Sequence, residues 1–477
     1  MADKVVGKRL LLKSGFWYVA SMFLTKGMVF ITMPIFTRLM TKAQYGDFSV
    51  FCSWQSVLII FCSLEIHGTL NLARFDYSEE EYKSYITSSL CLSTLIAGVL
   101  FGLYLAFPHM FDKLFLMKKE YMYVMFAYLF TVPAIYMFQT KQRVEYKYKV
   151  SSTISLGASI LAPIIALVMV LLMKDSDPLF GRIIGQHVLY IALGVAFYIY
   201  FLHCSRTIRV SYWKYAIRLG LPLVFSYIGS RVLLTADTII LKHMCTPENV
   251  SNVSVTHSTS QIILLLVQTI NMAWAPWLYD MLKTRRHKDV KKFYRVYLWA
   301  VVLATFAALA IGPEIIHILG GQKYKDAIYL LPPNILCGIF TVLTATFVNI
   351  ETYNKKPRYA AILTGGVAAL NVVLDILGVY LFGYMAVCYA TVLCLLLLCV
   401  LHYRVTLKME IKEILSAKTF AAVLIAAIML IPTALLLYQN TVVRYSVIAV
   451  CFLVVVAIAI YKREEIKHLI KKVRKKK

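Results

Sequence analysis

The stretch SGFWYVASMFLTKGMVFITMPIF, residues 14–36, is mostly apolar and carries a single charged residue, Lys26, near its middle. It is long enough to cross the hydrocarbon core of a bilayer, for which about 20 helical residues suffice. A charged side chain at the centre of a membrane costs roughly 3 kcal/mol, and such residues are usually retained for function. The stretch therefore predicts a membrane helix with a functional cation inside the membrane.

A second stretch, residues 217–241, repeats the first after a shift of 205 positions. It is again mostly apolar, and Arg231 takes the place of Lys26. The pattern predicts a membrane transporter built from two related halves, with a cationic centre. The same shift aligns other small or polar residues: Gly15 with Gly220, Ser21 with Ser226, Thr25 with Ser230, Thr32 with Asp237, and Thr41 with Thr246.

The composition agrees with a chain that lies largely within the membrane. Mean hydropathy is +0.71, and only 16% of residues are charged. We predict an all-α polytopic membrane protein with about fourteen spans. The apolar stretches cover residues 14–36, 46–67, 84–107, 121–139, 150–173, 183–203, 217–241, 254–276, 296–318, 326–350, 359–379, 383–403, 419–438 and 445–461.

The position of the repeat predicts how the spans are grouped. Six spans separate the two lead helices, so both helices cross the membrane in the same direction. Parallel repeats of this kind are related by an axis along the membrane normal, with the substrate site between them. We expect an N-lobe of spans 1–6 (1–203), a C-lobe of spans 7–12 (204–403), two additional spans (404–461) and a basic cytoplasmic tail (462–477).

The basic residues predict the orientation of the chain. Of its 50 Lys and Arg residues, 37 fall on the side of the N-terminus and 11 on the other side, with Lys26 and Arg231 inside spans. Because cytoplasmic loops carry an excess of Lys and Arg, both termini are predicted to be cytoplasmic. The net charge of +26 is spread over short loops, which favours the surface of anionic lipid over nucleic acid as its partner.

Several patterns that would indicate an enzyme or a metal protein are missing. The sequence contains no GxxxxGK[ST] loop for nucleotide hydrolysis and no CxxC pair for a metal site. Asp175 and Asp177 form a DxD pattern like that of metal-dependent sugar transferases, but a lone DxD in a loop is weak evidence. We therefore expect neither catalysis nor a bound cofactor or metal.

Polar residues form faces on several of the predicted helices, which favours a water-filled cavity. Helical spacing places Ser21 and Thr25 on one side of span 1 and their counterparts Ser226 and Ser230 on one side of span 7. Span 8 carries a similar stripe. The alternative is that these groups only form hydrogen bonds between helices. The stripe on span 8 consists of His257, Gln261, Gln268 and Asn271.

Two acidic residues within the spans are candidates for ion coupling. Asp237 lies towards the outer end of span 7, where it could reach water, and Asp375 lies one turn from Asn371 in span 11. Either carboxylate could bind H⁺ or Na⁺, and the sequence does not distinguish between these ions or an uncoupled mechanism.

Four motifs in order along the chain resemble those of bacterial Wzx-type oligosaccharide flippases, which belong to the multidrug/oligosaccharidyl-lipid/polysaccharide (MOP) exporter superfamily. The resemblance extends through spans 13 and 14. One departure is Thr238, since many relatives have Arg after the aspartate of span 7. The motifs are PIFTRLMTKAQYGDFS (34–49), LNLARF (70–75), GLPL (220–223) and AWAPW (273–277).

The resemblance implies transport of an undecaprenyl-pyrophosphate-linked glycan to the outer leaflet of the bacterial inner membrane, together with a polymerase and chain-length machinery. Lys26 and Arg231 would then bind the pyrophosphate. Two alternatives stay open at this point: a multidrug antiporter of the same fold, and a membrane-embedded glycan polymerase or transferase. An antiporter for cationic drugs would more naturally present acidic residues at mid-membrane than basic ones.

Overall fold

The computed structural model describes residues 8–145, 147–356, 358–409 and 411–461. Some side chains in the first, seventh, eighth and last long helices are not described, among them those of Ser226 and Gln268. The predicted basic tail, residues 462–477, also lies outside the described residues. Within the described ranges, the chain is helical and contains no strand.

The chain begins with eight helices that form one lobe, and eight more, one of them a 3₁₀-helix, form the second lobe. The first lobe contains α1 (Lys8–Leu39), α2 (Lys42–Ser63), α3 (Ile66–Asp76), α4 (Glu79–Ala106), α5 (Pro108–Phe115), α6 (Lys119–Val144), α7 (Tyr148–Leu172) and α8 (Pro178–Cys204). The second contains α9 (Val210–Met244), α10 (Pro247–Lys283), α11 (His287–Ala310), α12 (Gly312–Gly320), a 3₁₀-helix (Gln322–Leu330), α13 (Leu331–Tyr353), α14 (Arg358–Phe382) and α15 (Ala386–Thr406). Three helices follow: α16 (Ile411–Ile414), α17 (Ala417–Gln439) and α18 (Thr441–Tyr461).

Fourteen of the helices in the described part of the chain have 21 residues or more. Ten of the spans in that part are long and apolar enough to cross a membrane by length and composition. The predicted all-α membrane fold is therefore confirmed, and the fourteen long helices agree with the prediction of about fourteen spans. The boundary between spans 11 and 12 lies at Gly383, slightly later than predicted, where a backbone φ of 81° turns the chain.

Local sequence explains several helix ends. Thr41 and Ser78 each form a capping box with the glutamine or glutamate three residues later, which satisfies the first backbone amides of α2 and α4. Between α2 and α3 the chain passes through two left-handed residues, Leu64 with φ 44° and Glu65 with φ 52°. This break directs α3 away from the axis of α2, so the predicted single span 46–67 ends in a bend.

The two lobes use the same packing pattern. In the first lobe, α1 packs on α7, α7 on α8, and α6 on α8. The corresponding helices of the second lobe make the equivalent contacts: α9 packs on α14, α14 on α15, and α13 on α15. Across the boundary between the lobes, α2 contacts α9, and the equivalent pair, α10 and α1, is also in contact. In addition, α2 packs on α10. Two repeats related by a two-fold axis make equivalent contacts across their boundary in this way.

The lobes meet closely at one side, which we call the outer side because α1 ends there and its start is predicted to be cytoplasmic. The Thr37 hydroxyl donates to the carbonyl of Leu319 at 2.7 Å. Lys242 forms a 2.5 Å ion pair with Asp47 across the boundary. Gly46 also approaches α10 so closely that a Cβ there would overlap the Pro247 carbonyl oxygen. The outer ends of α1, α2, α9 and α10 are therefore closed against each other.

Candidate functional site

Arg231 faces away from its own lobe because of how α9 packs. Gly229 on α9 lies against the backbone of Gly365 on α14, and Leu233 is buried on the same face. Two residues along a helix turn the chain by about 200°, so Arg231 points to the opposite side. Its side chain is exposed to the space between the lobes.

Lys26 lies half-buried on α1, close enough to Arg231 for the two positive charges to interact. The repeat thus brings the two predicted cations together at the boundary between lobes. Like charges in this position repel one another, and an anion between them would relieve the repulsion. The pair can therefore bind an anionic group of a substrate, with the guanidinium as a planar fork and the ammonium as a compact charge.

Glu65 is an acidic neighbour of this pair that the sequence analysis did not select. Its carboxylate interacts electrostatically with Arg231 and lies 3.6 Å from His67 Nε2. The His67 ring packs against Tyr136, with 5.3 Å between ring centroids. Glu65 and His67 lie at the end of an apolar stretch, which in sequence looks like an ordinary membrane boundary. The bend after α2 turns them towards Arg231.

A cavity of about 360 Å³ lies within the N-lobe beside α1. Thr25 and Thr32 contribute to its wall from α1. The hydroxyls of Ser21 and Thr25 are buried and have no hydrogen-bond partner in the described part of the chain. Hydroxyls in this state are available to a ligand or to water. The rest of the wall includes Gln55, Tyr128, Gln186, His187 and Tyr190.

A second cavity, of about 250 Å³, lies between the lobes. Ser53 contributes to its wall from α2, and Thr238, Ser254, His257 and Gln261 contribute from α9 and α10. Of the predicted cavity residues on α10, Gln261 therefore lies where expected. Ser230 is exposed next to Arg231.

The other predicted cavity residues lie elsewhere or cannot be placed. Asn271 accepts a 3.0 Å hydrogen bond from Asn349 on α13, so it links two helices of the same lobe. This is the alternative of interhelical hydrogen bonding that the sequence left open. The side chains of Ser226 and Gln268 lie outside the described residues.

The two candidate acids for ion coupling lie together in the C-lobe. Asp237 is only 7% exposed, although it lies towards the outer end of α9. Its carboxylate accepts from the Thr238 amide at 2.7 Å and lies 3.9 Å from His257 Nδ1. Asp375 is fully buried, accepts a 3.3 Å hydrogen bond from Asn371, and interacts electrostatically with Asp237. Two neighbouring carboxylates of this kind favour binding of a proton or a cation.

Arg182 on α8 is a further buried cation, one residue before the predicted span 183–203. The structure buries it one turn inside α8, with 7% of the residue exposed. Its guanidinium carbon lies 3.8 Å from the ring centroid of Phe48 and 4.2 Å from that of Phe36. It contributes to the walls of both cavities.

The DxD pattern has a structural role. Asp177 begins α8, accepting a hydrogen bond from the Phe180 amide at 3.0 Å. Lys118 Nζ and Tyr121 Oη each donate to its carboxylate at 2.7 Å. Partial burial alone would raise the pKa of Asp177, but these hydrogen bonds outweigh it and hold the pKa below its ordinary value. Asp175 is exposed and makes none of these contacts.

The fold is that of a multi-pass membrane protein, since ten spans in the described part of the chain are long and apolar enough to cross a membrane. Residues 11–282 match the family described as "Polysaccharide biosynthesis protein". The match covers more than half of the 477 residues, and the chain belongs to this family. This membership agrees with the resemblance to Wzx-type flippases that the motifs suggest.

The chain is also similar to individual proteins, in sequence or in fold. The chain is 22% identical over 349 residues to "Lsg locus putative protein 1" of Haemophilus influenzae, covering 70% of this chain and 82% of that protein. The fold is similar to that of the lipid II flippase MurJ in an inward closed conformation, with a TM-score of 0.67 and 13% identity over 94% of this chain and 99% of MurJ. An inward-facing multidrug resistance MATE family transporter of the MOP superfamily matches with a TM-score of 0.59 and 14% identity, over 81% and 93% of the two chains.

Proposed function

We propose that this protein moves an undecaprenyl-pyrophosphate-linked oligosaccharide repeat unit from the cytoplasmic to the outer leaflet during synthesis of O-antigen, capsule or exopolysaccharide. The observation that carries the proposal is the pairing of Lys26 and Arg231, one from each lobe, at the space between the lobes. Membership of the polysaccharide biosynthesis family supplies the class of cargo.

The chemistry of the pair suits a pyrophosphate. An anion that leaves water must exchange its hydration for fixed charge or hydrogen bonds. Arg231 offers a planar fork to phosphate oxygens, and Lys26 offers a compact charge. The polar cavities beside α1 and α10 would hold the sugars, while the lipid tail stays in the bilayer beside the two additional spans, α17 and α18. Because the pair has one member in each lobe, rocking of the lobes moves both cations relative to the two membrane faces.

We place the protein in the bacterial inner membrane with both termini cytoplasmic, because of the distribution of Lys and Arg. In this orientation the closed outer side faces the periplasm. An inside-negative potential then favours outward movement of the anion by roughly 2.3 kcal/mol per charge per 100 mV. The product would pass to a polysaccharide polymerase and its chain-length machinery.

Binding of an ion to the buried acids is part of the proposal. Asp237 and Asp375 lie on α9 and α14, which pack together behind Arg231. A proton or Na⁺ bound there would change how α9 packs and thereby the position of Arg231. No cofactor beyond such an ion is required.

The test of this function is the distribution of lipid-linked glycan between leaflets in a strain that lacks the protein. We expect complete repeat units to accumulate on the cytoplasmic leaflet, shielded from an external glycan probe. Complete but unpolymerised units exposed outside would indicate a polymerase, and truncated units would indicate a transferase. An unchanged lipid pool, together with loss of resistance to cationic dyes, would indicate a multidrug antiporter.

A further inference from the structure

Arg182 is an unusual cation because it is buried without a carboxylate beside it. No Asp or Glu in the described part of the chain forms an ion pair with it. Its Nη1 lies 3.5 Å from Met40 Sδ, and the Tyr45 hydroxyl also interacts with the guanidinium. Its Nε is buried and has no hydrogen-bond partner in the described residues. A buried charge is normally paired, so this arrangement indicates a missing partner.

Three aromatic rings hold the guanidinium in position. The guanidinium carbon lies 4.2 Å from the ring centroid of Phe36, 4.8 Å from that of Tyr45 and 3.8 Å from that of Phe48. Ring faces stabilise a cation but leave its N–H edge unsatisfied, since they accept only weak hydrogen bonds. The Nε–H of the guanidinium, which has no partner among the described residues, is therefore available for an oxygen ligand.

The location of Arg182 connects it to both cavities. The N-lobe cavity and the interlobe cavity share Val29, Phe48, Cys52 and Arg182 in their walls. The N-lobe cavity also presents amide, hydroxyl, imidazole and phenol groups, which suit the hydroxyls and faces of sugars. A glycan in these cavities would pass directly over the edge of Arg182.

Resting on the function proposed above, we propose that Arg182 binds an oxyanion of the translocated molecule, in the part of the cavity that holds the glycan. Phe36, against which Arg182 stacks, lies ten residues beyond Lys26 on α1, which is roughly 15 Å along the helix. A pyrophosphate at Lys26 and Arg231 is too short to cover this distance. The geometry thus favours the carboxylate of an acidic sugar as the source of the oxyanion, with the lipid phosphate as the other source to be tested.

The test uses the purified full-length protein and measures its thermal unfolding midpoint with sodium glucuronate, glucose or inorganic pyrophosphate at constant ionic strength. The variant is Arg182→Gln, and the matched control is Arg358→Gln, which removes an exposed arginine that lies 5.4 Å from the Tyr359 ring centroid. We expect glucuronate, but not glucose, to stabilise the wild type and the control. Arg182→Gln should require about tenfold more glucuronate for the same shift, the loss expected for a charge-assisted hydrogen bond.

The response to pyrophosphate identifies the source of the oxyanion. If Arg182→Gln weakens stabilisation by pyrophosphate, and if glucuronate stabilises neither the wild type nor any variant, the site is confirmed and its ligand is the lipid phosphate. If glucuronate and pyrophosphate act equally on the wild type and Arg182→Gln, or neither stabilises the wild type, the proposal is wrong. A lower midpoint without ligand but unchanged responses to both probes would mean that the aromatic cage only stabilises the fold.

Arg182→Lys provides a second variant if Arg182→Gln does not fold. Lysine keeps the charge but lacks the fork, so the same weakening, to a smaller extent, is expected. This binding measurement is separate from the leaflet assay. Failure of the proposed function would appear as a normal distribution of lipid-linked glycan in cells, whereas failure of this inference would appear only as binding that is independent of Arg182.

Discussion

Lys26 on α1 and Arg231 on α9 lie near enough across the boundary of the lobes for their positive charges to repel one another. Without an anionic ligand, this repulsion opposes the close approach of the two lobes. An anion between the two side chains converts the repulsion into two attractions, one to each lobe. The pair therefore links binding of the substrate to the relative position of the lobes.

We first predict that Lys26→Gln and Arg231→Gln weaken binding of inorganic pyrophosphate by about tenfold each, because each removes a charge-assisted contact. The measurement is the unfolding midpoint of the purified protein over a pyrophosphate titration. Arg358→Gln is the control for loss of a positive charge, and unchanged pyrophosphate binding in both variants would rule out the cationic centre.

Glu65 should have the opposite effect on the same ligand. Its carboxylate offsets part of the charge of Arg231, so Glu65→Gln is expected to tighten pyrophosphate binding by roughly threefold, as for a partly exposed charge pair. Glu79→Gln, at an exposed position where α4 begins, is the matched control. Weaker binding in Glu65→Gln would show instead that the carboxylate positions Arg231 for the ligand.

The buried acids predict the ion dependence of transport. We expect Asp237→Asn and Asp375→Asn to slow transport at least roughly tenfold and to remove its dependence on pH or Na⁺, because the amide binds neither ion strongly. Asp326→Asn removes an exposed carboxylate of the 3₁₀-helix and should leave both properties unchanged. Transport that keeps its rate and its ion dependence in both buried variants would exclude these acids from coupling.

Gly46 tests whether closure of the outer side belongs to the transport cycle. A methyl group at Gly46 overlaps the Pro247 carbonyl, so Gly46→Ala should separate the outer ends of α2 and α10. The experiment introduces Ser254→Cys, in the wall of the interlobe cavity, into a protein without other cysteines. We expect its thiol to react faster with an impermeant maleimide added from outside when the protein also carries Gly46→Ala than when Gly46 is retained. Gly102→Ala, which meets no atom within 4 Å, is the control. Equal labelling rates in the two backgrounds would contradict this prediction.

The lowered pKa of Asp177, a residue outside the membrane, predicts that the stability of the protein depends on pH. Its pKa is lower in the folded protein than its ordinary value of 3.8, so its stabilising effect is complete above that value and disappears as pH falls through the folded pKa. We expect Asp177→Asn to reduce stability by about 1 kcal/mol at pH 7 through the weaker cap and lost contacts, with the difference from wild type shrinking as pH falls through the folded pKa of Asp177. Asp175→Asn should behave as wild type at every pH, and a pH-independent difference for Asp177→Asn would contradict this explanation.

Much of the fold could be predicted from the sequence, because bilayer thickness and hydrogen bonding within helices determine where spans begin and end. The fourteen spans and the pairing of Lys26 with Arg231 followed from apolar length and a single internal shift. The short helices α3, α5, α12 and α16 were not predicted, because segments of this length at a membrane boundary have no distinctive apolar pattern.

The site was less predictable because it depends on which helices pack together. Arg182 follows a Gly beside the start of an apolar stretch, so the sequence suggested a loop residue. Only the packing of α1 and α2 against α8 shows that aromatic rings surround it. Asp237 lies near the outer end of its span, and its burial comes from His257 on α10 and Asp375 on α14, which the sequence does not place beside it. Helical periodicity gives the face on which a residue lies but not the partner that covers that face.

The most direct test of the cationic centre is complementation of the deletion strain with a Lys26→Gln, Arg231→Gln double variant, measured as the fraction of lipid-linked repeat units exposed on the outer leaflet. We predict that the wild type restores exposure. The double variant, present in the membrane at equal abundance, should leave the repeat units on the cytoplasmic leaflet. Restored exposure with the double variant would show that the pyrophosphate crosses without this pair of cations, and the central claim would be wrong.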